Sequence, residues 1–389
     1  MDKQNVMILS AGAGGGHNRA GAAVKRAFMA DGRVRQAMLV DCLDYTNDAF
    51  KEIYSHYFIE AVKKAPTLWG WAYERSDVPW REANFREWFE RINAQPLIRK
   101  IHKFAPAACV CTHFMPAIIV SKLIGRDKLK THLSVVVTDY YVHAAWLTDV
   151  FCRYFVPHEE GKIQLLKLGF PEDRVAASGI PIDPVFAQQK DRDALLTKFG
   201  LRKDLPRVLL SAGSVGKMSA DDMVALADTI NTPCQIIILC GRHEGIRQEL
   251  EARIAVRKRE FPVLRAVGFT EEMDEWMTVA DVLIGKPGGL TVTESLAKGL
   301  PMVIWDPIPG QEVYNSVFLL ENGAAVAPTS KSTLGFKVDA ILSEPQRLRD
   351  MKAAAGRLVN ARAAEDIVDV VLKNCAEAPV KVSKLHAGQ

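Results

Sequence analysis

The chain has 389 residues, 48% hydrophobic and 25% charged, with a formal net charge of +4. That length exceeds what one hydrophobic core usually serves, so two domains are expected. So small a charge gives no basis for a nucleic-acid partner. With no run near the roughly 20 apolar residues that span a bilayer, any membrane contact is expected to be peripheral.

The sequence passes from Met1-Asp2-Lys3 straight into a strand, with no secretory signal, and a cytoplasmic protein is expected. The strand Val6–Ser10 runs into "AGAGGGHNRAG", Ala11 to Gly21, where a helix begins. Gly12, Gly14, Gly15 and Gly16 can offer backbone N–H groups and a positive helix end to an anionic or electron-rich group. The loop approaches a dinucleotide fingerprint, and Asp41 stands close to where its ribose-binding acid would fall, which leaves a nicotinamide-dependent oxidoreductase open. His17 argues for other chemistry. An imidazole at a helix N-terminus is held neutral and is usable as a general base, although it could also merely cap or pack.

Tyr45 to Phe104 holds four of the seven tryptophans, Trp69, Trp71, Trp80 and Trp88, interleaved with Lys63, Lys64, Arg75, Arg81 and Arg86. Aromatic-plus-basic surfaces lie at bilayer interfaces, so Trp69, Trp71 and Trp80 are expected to meet a membrane or acyl chains. Phe85, Trp88, Phe89 and Ile92 share one helical face and are expected to pack on the domain. Cys109 and Cys111 form neither a redox pair nor a zinc knuckle, and the seven cysteines are expected to be thiols in a reducing compartment. Further strands are expected at Ala37–Cys42, Ala107–Thr112, Leu133–Thr138 and Tyr154–Pro157. Asp139 ends the third of these, with His143 and Trp146 just beyond.

Prolines and charges from Gly179 to Leu195 mark a boundary. We expect domains over 1–185 and 186–360, then a C-terminal helix and polar tail over 361–389. In the second half, strands are expected at Val208–Ser211, Gln235–Cys240, Leu264–Gly268, Val282–Gly285 and Met302–Trp305. Near-continuous apolar strands alternating with helices predict an α/β fold of two doubly wound Rossmann-like domains facing a cleft. Gly213, Ser214 and Gly216 repeat the strand–glycine–helix device and could receive a diphosphate. Gly288-Gly289 permit close backbone approach ahead of a helix expected from near Thr291, and Glu294, about a turn in, could accept both hydroxyls of a ribose. Gln311 and Glu312, expected at a strand end, together suit a polyol.

In this order and spacing the motifs resemble those of the diacylglycerol glycosyltransferases. That group includes monogalactosyldiacylglycerol synthase and is related to the muramyl-pathway N-acetylglucosaminyltransferase; the likeness runs to about residue 360. The resemblance implies a GT-B fold, with a lipid-acceptor domain followed by a UDP-sugar domain. It implies that His17 is the base for the acceptor hydroxyl; from its place at a strand end, Asp139 could orient His17, bind the acceptor or serve only as a structural cap, and Gly14, Gly15 and Gly16 are expected to form the acceptor loop. Gly213, Ser214 and Gly216 would meet the donor diphosphate, with Gly288 and Gly289 beside it. Glu294 would hold the ribose, Gln311 and Glu312 the sugar, and the backbone at Phe269 the uracil. Val313-Tyr314 depart from the family's usual continuation after Gln-Glu, which leaves the sugar open.

An alcohol with a pKa of about 16 needs a base at neutral pH. Transfer by one activated hydroxyl inverts the anomeric centre. The only Asp-x-Asp pair, Asp191-Arg192-Asp193, lies in the expected linker, so metal-independent transfer is expected, with helix ends and backbone amides balancing the leaving charge and no cofactor. The expected partners are a UDP-sugar, diacylglycerol or a similar lipid, and the inner face of the cell membrane. A transferase for a soluble aglycone, the nicotinamide-dependent oxidoreductase and a non-catalytic nucleotide-sugar sensor are the alternatives.

Overall fold

The computed structural model describes residues 3–12, 15–46, 65–80, 94–211 and 218–382. The chain divides into two compact units. Unit 1 comprises Met1–Pro184, Pro309–Gln311 and Asn360–Gln389; unit 2 comprises Val185–Ile308 and Glu312–Val359.

Unit 1 is built on seven short strands: β1 (Gln4–Ser10), β2 (Val34–Asp41), β3 (Ala108–Cys111), β4 (His132–Val136), β5 (Val150–Phe151), β6 (Arg153–Val156) and β7 (Val175–Ala177). Six of them form a parallel sheet in the order β2-β1-β3-β4-β6-β7. Successive strand residues face opposite sides, and both sides are covered. Val6, Ile8 and Val110 pack with Val24 and Phe28 of the helix Gly16–Ala30 and with Ile367 and Val371 of the helix Ala363–Lys373. Met7, Leu9, Cys109 and Cys111 pack on the other side with Leu97, Ile101 and Val120. This two-sided burial is why β1 and β3 read as unbroken apolar runs.

In unit 2 the strands are β8 (Arg207–Ser211), β9 (Gln235–Leu239), β10 (Val263–Val267), β11 (Val282–Gly285), β12 (Met302–Ile304) and β13 (Ala325–Val326). They form a parallel sheet in the order β10-β9-β8-β11-β12-β13, the 3-2-1-4-5-6 arrangement of a dinucleotide-type fold. The strand order reverses at β8/β11 here and at β1/β3 in unit 1. In open α/β sheets, ligands bind beyond the carboxyl ends of the strands at these switch points.

The C-terminal segment closes back on unit 1. A last strand, β14 (Val380–Lys381), pairs antiparallel with β5. Glu377 accepts from Arg153 at 2.6 Å and from Arg174 at 2.6 Å, and Asn360 Nδ2 donates to the Ser178 carbonyl at 2.9 Å. All seven cysteines are free thiols, six of them buried, and burial pushes the Cys109 thiol up to about 12. Among the described residues no helix is long and apolar enough to cross a membrane.

Candidate functional site

In unit 1 the glycine loop leaves β1 at Ser10 and turns into the helix at Gly16. Gly15 is the N-cap, with φ of 80°, a left-handed conformation that costs glycine little and other residues roughly 1–2 kcal/mol. Gly12 is held by Asp41: the Gly12 N–H donates to Asp41 Oδ1 at 3.2 Å, while Asn18 Nδ2 donates to Oδ2 at 2.8 Å. Asp41 Oδ1 also accepts from Leu43 N at 3.0 Å. Both oxygens of the carboxylate that a nicotinamide reading would give to a ribose are therefore committed to the loop itself. Gly14 lies outside the described residues.

His17 sits in the first turn of the helix, half-buried, with its ring locked from one side. Nδ1 lies 3.0 Å from the Thr112 carbonyl oxygen and 2.8 Å from Thr138 Oγ1. A carbonyl can only accept, so the ring proton is on Nδ1 and the Nε2 lone pair is the basic site. Thr112, just past β3, returns a second bond from its hydroxyl to the His17 carbonyl at 3.0 Å. His17 is thus tied to both sides of the β1/β3 switch point. Burial lowers its pKa, opposed by the Asp139 carboxylate and by the Thr112 hydrogen bond. Burial is the larger cause, where the sequence pointed to the helix dipole.

A second imidazole, which the sequence reading missed, packs against the first. The His113 ring meets the His17 ring edge-on at 4.6 Å, and Trp146 lies 6.1 Å from His17. His113 Nδ1 accepts from Met115 N at 3.1 Å and caps the helix Phe114–Gly125, which places its proton on Nε2. Burial holds His113 well below the ordinary histidine range. Its signal lay in "THFMP", a strand end followed by a helix-initiating proline.

Of the three tryptophans assigned to a lipid surface, Trp71 is 53% exposed and Trp69 is half-buried, both on the helix Pro66–Ser76. Trp80 is 8% exposed and stacks on Phe170 in the core. Phe85, Trp88, Phe89 and Ile92 lie outside the described residues.

In unit 2, Gly213, Ser214 and Gly216 also lie outside the described residues. The second glycine pair is clear. Gly288 is the N-cap of the helix Gly289–Ala297 and, as a glycine, has no side chain of its own to cap the first-turn N–H groups, the kind of helix end that can receive an anion. Glu294 in this helix is 3% exposed. Gln311 and Glu312 open the helix Gln311–Glu321 and do not end a strand as expected. Glu312 Oε2 accepts from Ile308 N at 2.6 Å, and Oε1 stands 3.6 Å from where a Cβ on Gly288 would lie. The Glu312 carboxylate therefore lies beside the glycine-opened helix end, and Glu294 is buried within the same helix. Gln311 Oε1 is buried without a hydrogen-bond partner among the described residues.

Beyond the ends of β8, β11 and β12, a pocket of about 370 Å³ is lined by Ser211, Lys286, Trp305, Asp306 and Lys331, among others. Lys286 Nζ is 2.9 Å from Asp306 Oδ2. Phe269, just past β10, is 55% exposed, with the Arg242 guanidinium 4.5 Å from its ring centre. Asp191 of the Asp-x-Asp pair is an N-cap, accepting from Asp193 N at 2.9 Å and Ala194 N at 3.1 Å. Among the described residues no cluster of three His, Cys, Asp or Glu side chains could hold a metal ion.

A family model described as monogalactosyldiacylglycerol (MGDG) synthase matches residues 17–182, and one described as the glycosyltransferase family 28 C-terminal domain matches residues 211–371. A relative from Bacillus cytotoxicus named processive diacylglycerol beta-glucosyltransferase is 26% identical, over 95% of this chain and 93% of its own. Among solved structures, MurG of Acinetobacter baumannii superposes with a TM-score of 0.61 at 16% identity, covering 95% of this chain and 99% of that one. A UDP co-structure of MnaA from S. aureus gives 0.63 at 13% identity, covering 98% and 100%. At such identities these two structures speak for the fold alone. With a match to the MGDG synthase model over 17–182 and to the glycosyltransferase family 28 C-terminal domain over 211–371, the chain carries the two regions of a glycosyltransferase and is a hexosyltransferase.

Proposed function

We propose that this protein transfers a hexose from a UDP-sugar to the free hydroxyl of diacylglycerol, with inversion and without a metal ion, at the inner face of the cell membrane. The observation that carries the reading is the His17 imidazole, with Nδ1–H committed to Thr112 and Nε2 left basic at the switch point of the first sheet. Nε2 takes the proton of the acceptor hydroxyl as its oxygen bonds to the anomeric carbon. The bond from that carbon to the diphosphate breaks, and UDP leaves with the electron pair. One displacement converts an α-linked donor into a β-glycoside. Asp139 favours the imidazolium formed in this step, because its carboxylate raises the His17 pKa against burial.

The N–H groups at Gly288-Gly289 suit the diphosphate, Glu294 the ribose diol, Gln311 and Glu312 the hexose, and the backbone at Phe269 the uracil. The names of the relatives make glucose the first donor to try. Helix ends and amides would balance the charge on the leaving diphosphate, as a metal does in other transferases. Trp71, with the Arg75 guanidinium 4.7 Å from its ring centre, offers the aromatic-plus-basic pairing suited to an anionic lipid surface.

The test is incubation of labelled UDP-glucose, UDP-galactose and UDP-glucuronate with diacylglycerol vesicles, with and without EDTA, followed by lipid separation and anomer assignment. A β-linked glycolipid formed equally with and without chelator is expected. Loss of product with EDTA would remove the metal-independent step, and an α-linked product would remove inversion.

A further inference from the structure

Unit 1 holds a second polar cluster, next to the His17 site but outside it. The helix Pro66–Ser76 and the residue that follows its cap expose apolar side chains: Leu68 at 62%, Trp71 at 53% and Val78 at 41%. Its C-cap is Asp77, and that carboxylate reaches into the loop between Asp139 and Trp146. Asp77 Oδ1 accepts from Ala144 N at 2.7 Å, and Oδ2 accepts from the Tyr141 hydroxyl. His143 Nε2 lies 3.8 Å from Oδ1, 3.0 Å from the Tyr73 carbonyl and 3.3 Å from Ser76 Oγ, and the Tyr73 ring packs at a tilt on the His143 ring, 4.2 Å between centres.

These contacts run from the exposed helix to the loop that serves the base. Asp139 opens the loop and acts on the His17 charge; Trp146 closes it and packs against the His17 ring. Tyr141, His143 and Ala144, the residues gripped by the helix, lie between them. Charge-assisted hydrogen bonds with good geometry are among the stronger polar ties available to a loop. A surface that binds the helix only in this docked arrangement would shift the loop's population toward it.

We propose that Asp77 is a positioning residue that couples the exposed aromatic helix to the loop Asp139–Trp146, so that seating Trp71 and Leu68 on a lipid surface raises turnover at His17. The inference rests on the lipid-acceptor reading above.

The test compares wild type, Asp77→Asn and Tyr141→Phe on two acceptors. One is dioleoylglycerol in phosphatidylglycerol-containing vesicles; the other is dihexanoylglycerol dispersed as monomers. For the wild type, kcat on vesicles is expected to exceed kcat on the monomeric acceptor by tenfold or more. Asp77→Asn should float with vesicles like the wild type and keep its UDP-sugar KM within twofold, yet lose most of that enhancement. Tyr141→Phe, which removes one partner and leaves the carboxylate, should lose part of it and carries the test should Asp77→Asn fail to fold.

Full enhancement in both variants overturns the coupling. So does a loss of vesicle binding in proportion to activity, because Asp77 would then only brace the helix. Equal wild-type kcat on the two acceptors overturns the coupling while the lipid-acceptor reading stands. Transfer to neither acceptor removes that reading and the inference with it.

Discussion

The two units carry the same backbone device, a strand that ends in glycines and turns into a helix at a switch point of a parallel sheet, yet they furnish it differently. In unit 1 the loop is closed on itself. Asp41 binds Gly12 and Asn18, Gly15 caps in a left-handed conformation, and a single imidazole in the first turn keeps a basic nitrogen. In unit 2 the Gly288-Gly289 end is left uncapped, and the carboxylates near it, Glu294 and Glu312, are buried. In unit 1 the polar groups hold one imidazole still. In unit 2 the cap is a glycine with no side chain to bind the first-turn N–H groups. On the proposed function, the neighbouring side chains divide proton transfer from ligand grip.

The contrast is sharpest in activity. Replacing His17 by Ala should lower transfer by about 10²–10⁴-fold, the usual contribution of a positioned base, while calorimetry still records UDP binding. Near wild-type turnover would dissolve the distinction between the units. Glu294→Ala should do the reverse: losing a charged hydrogen-bonding partner raises the donor KM by roughly 10–100-fold, and kcat changes less. A donor KM that stays put would take the ribose away from that carboxylate.

The glycines themselves differ in what they tolerate. A Cβ at Gly12 would lie 2.4 Å from Asp41 Oδ2, so Gly12→Ala should cost about 1–3 kcal/mol in denaturant unfolding. At Gly288, where φ is −66° and the nearest side-chain atom would be 3.6 Å away, Ala should leave stability unchanged, so any fall in UDP affinity reports directly on the ligand. Comparable stability losses at both positions would erase the difference.

The contrast extends to pH. His17, His113 and His132 all have folded-state pKa values lowered by burial, His132 to about 4. Below the unfolded value of about 6.5, the unfolded chain takes up protons that the folded chain refuses. Stability is therefore intact above that pH and falls as pH drops from about 6.5 toward 4, by up to about 1.4 kcal/mol per pH unit for His132. Denaturant midpoints across that range measure it. For the same reason the acid limb of kcat/KM should lie below the ordinary histidine value.

Most of the two sheets was legible because their strands are apolar on both faces, as in Val6–Leu9 and Ile236–Ile238. The edge strands Val175–Ala177 and Ala325–Val326 were not, being two or three residues long and partly alanine. His17 could be read from its place behind the glycines. His113 could not, since its contact with His17 joins positions 96 residues apart that only the β1/β3 pairing brings together. Asp41 was legible as an acid at a strand end, but its bonds to Gly12 and Asn18 depend on the pairing of β1 with β2. Trp80 read like its neighbours by composition; only packing against Phe170 separates it from the exposed Trp71.

The return of the C-terminal segment to unit 1 makes unit 2 an insertion in an otherwise continuous fold. A Cβ on Gly179 would lie 3.3 Å from Asn360 Cβ, so the chain re-enters unit 1 beside Gly179. Stopping the gene before Asn360 should therefore remove the helix Ala363–Lys373 and with it the cover over one face of the unit 1 sheet.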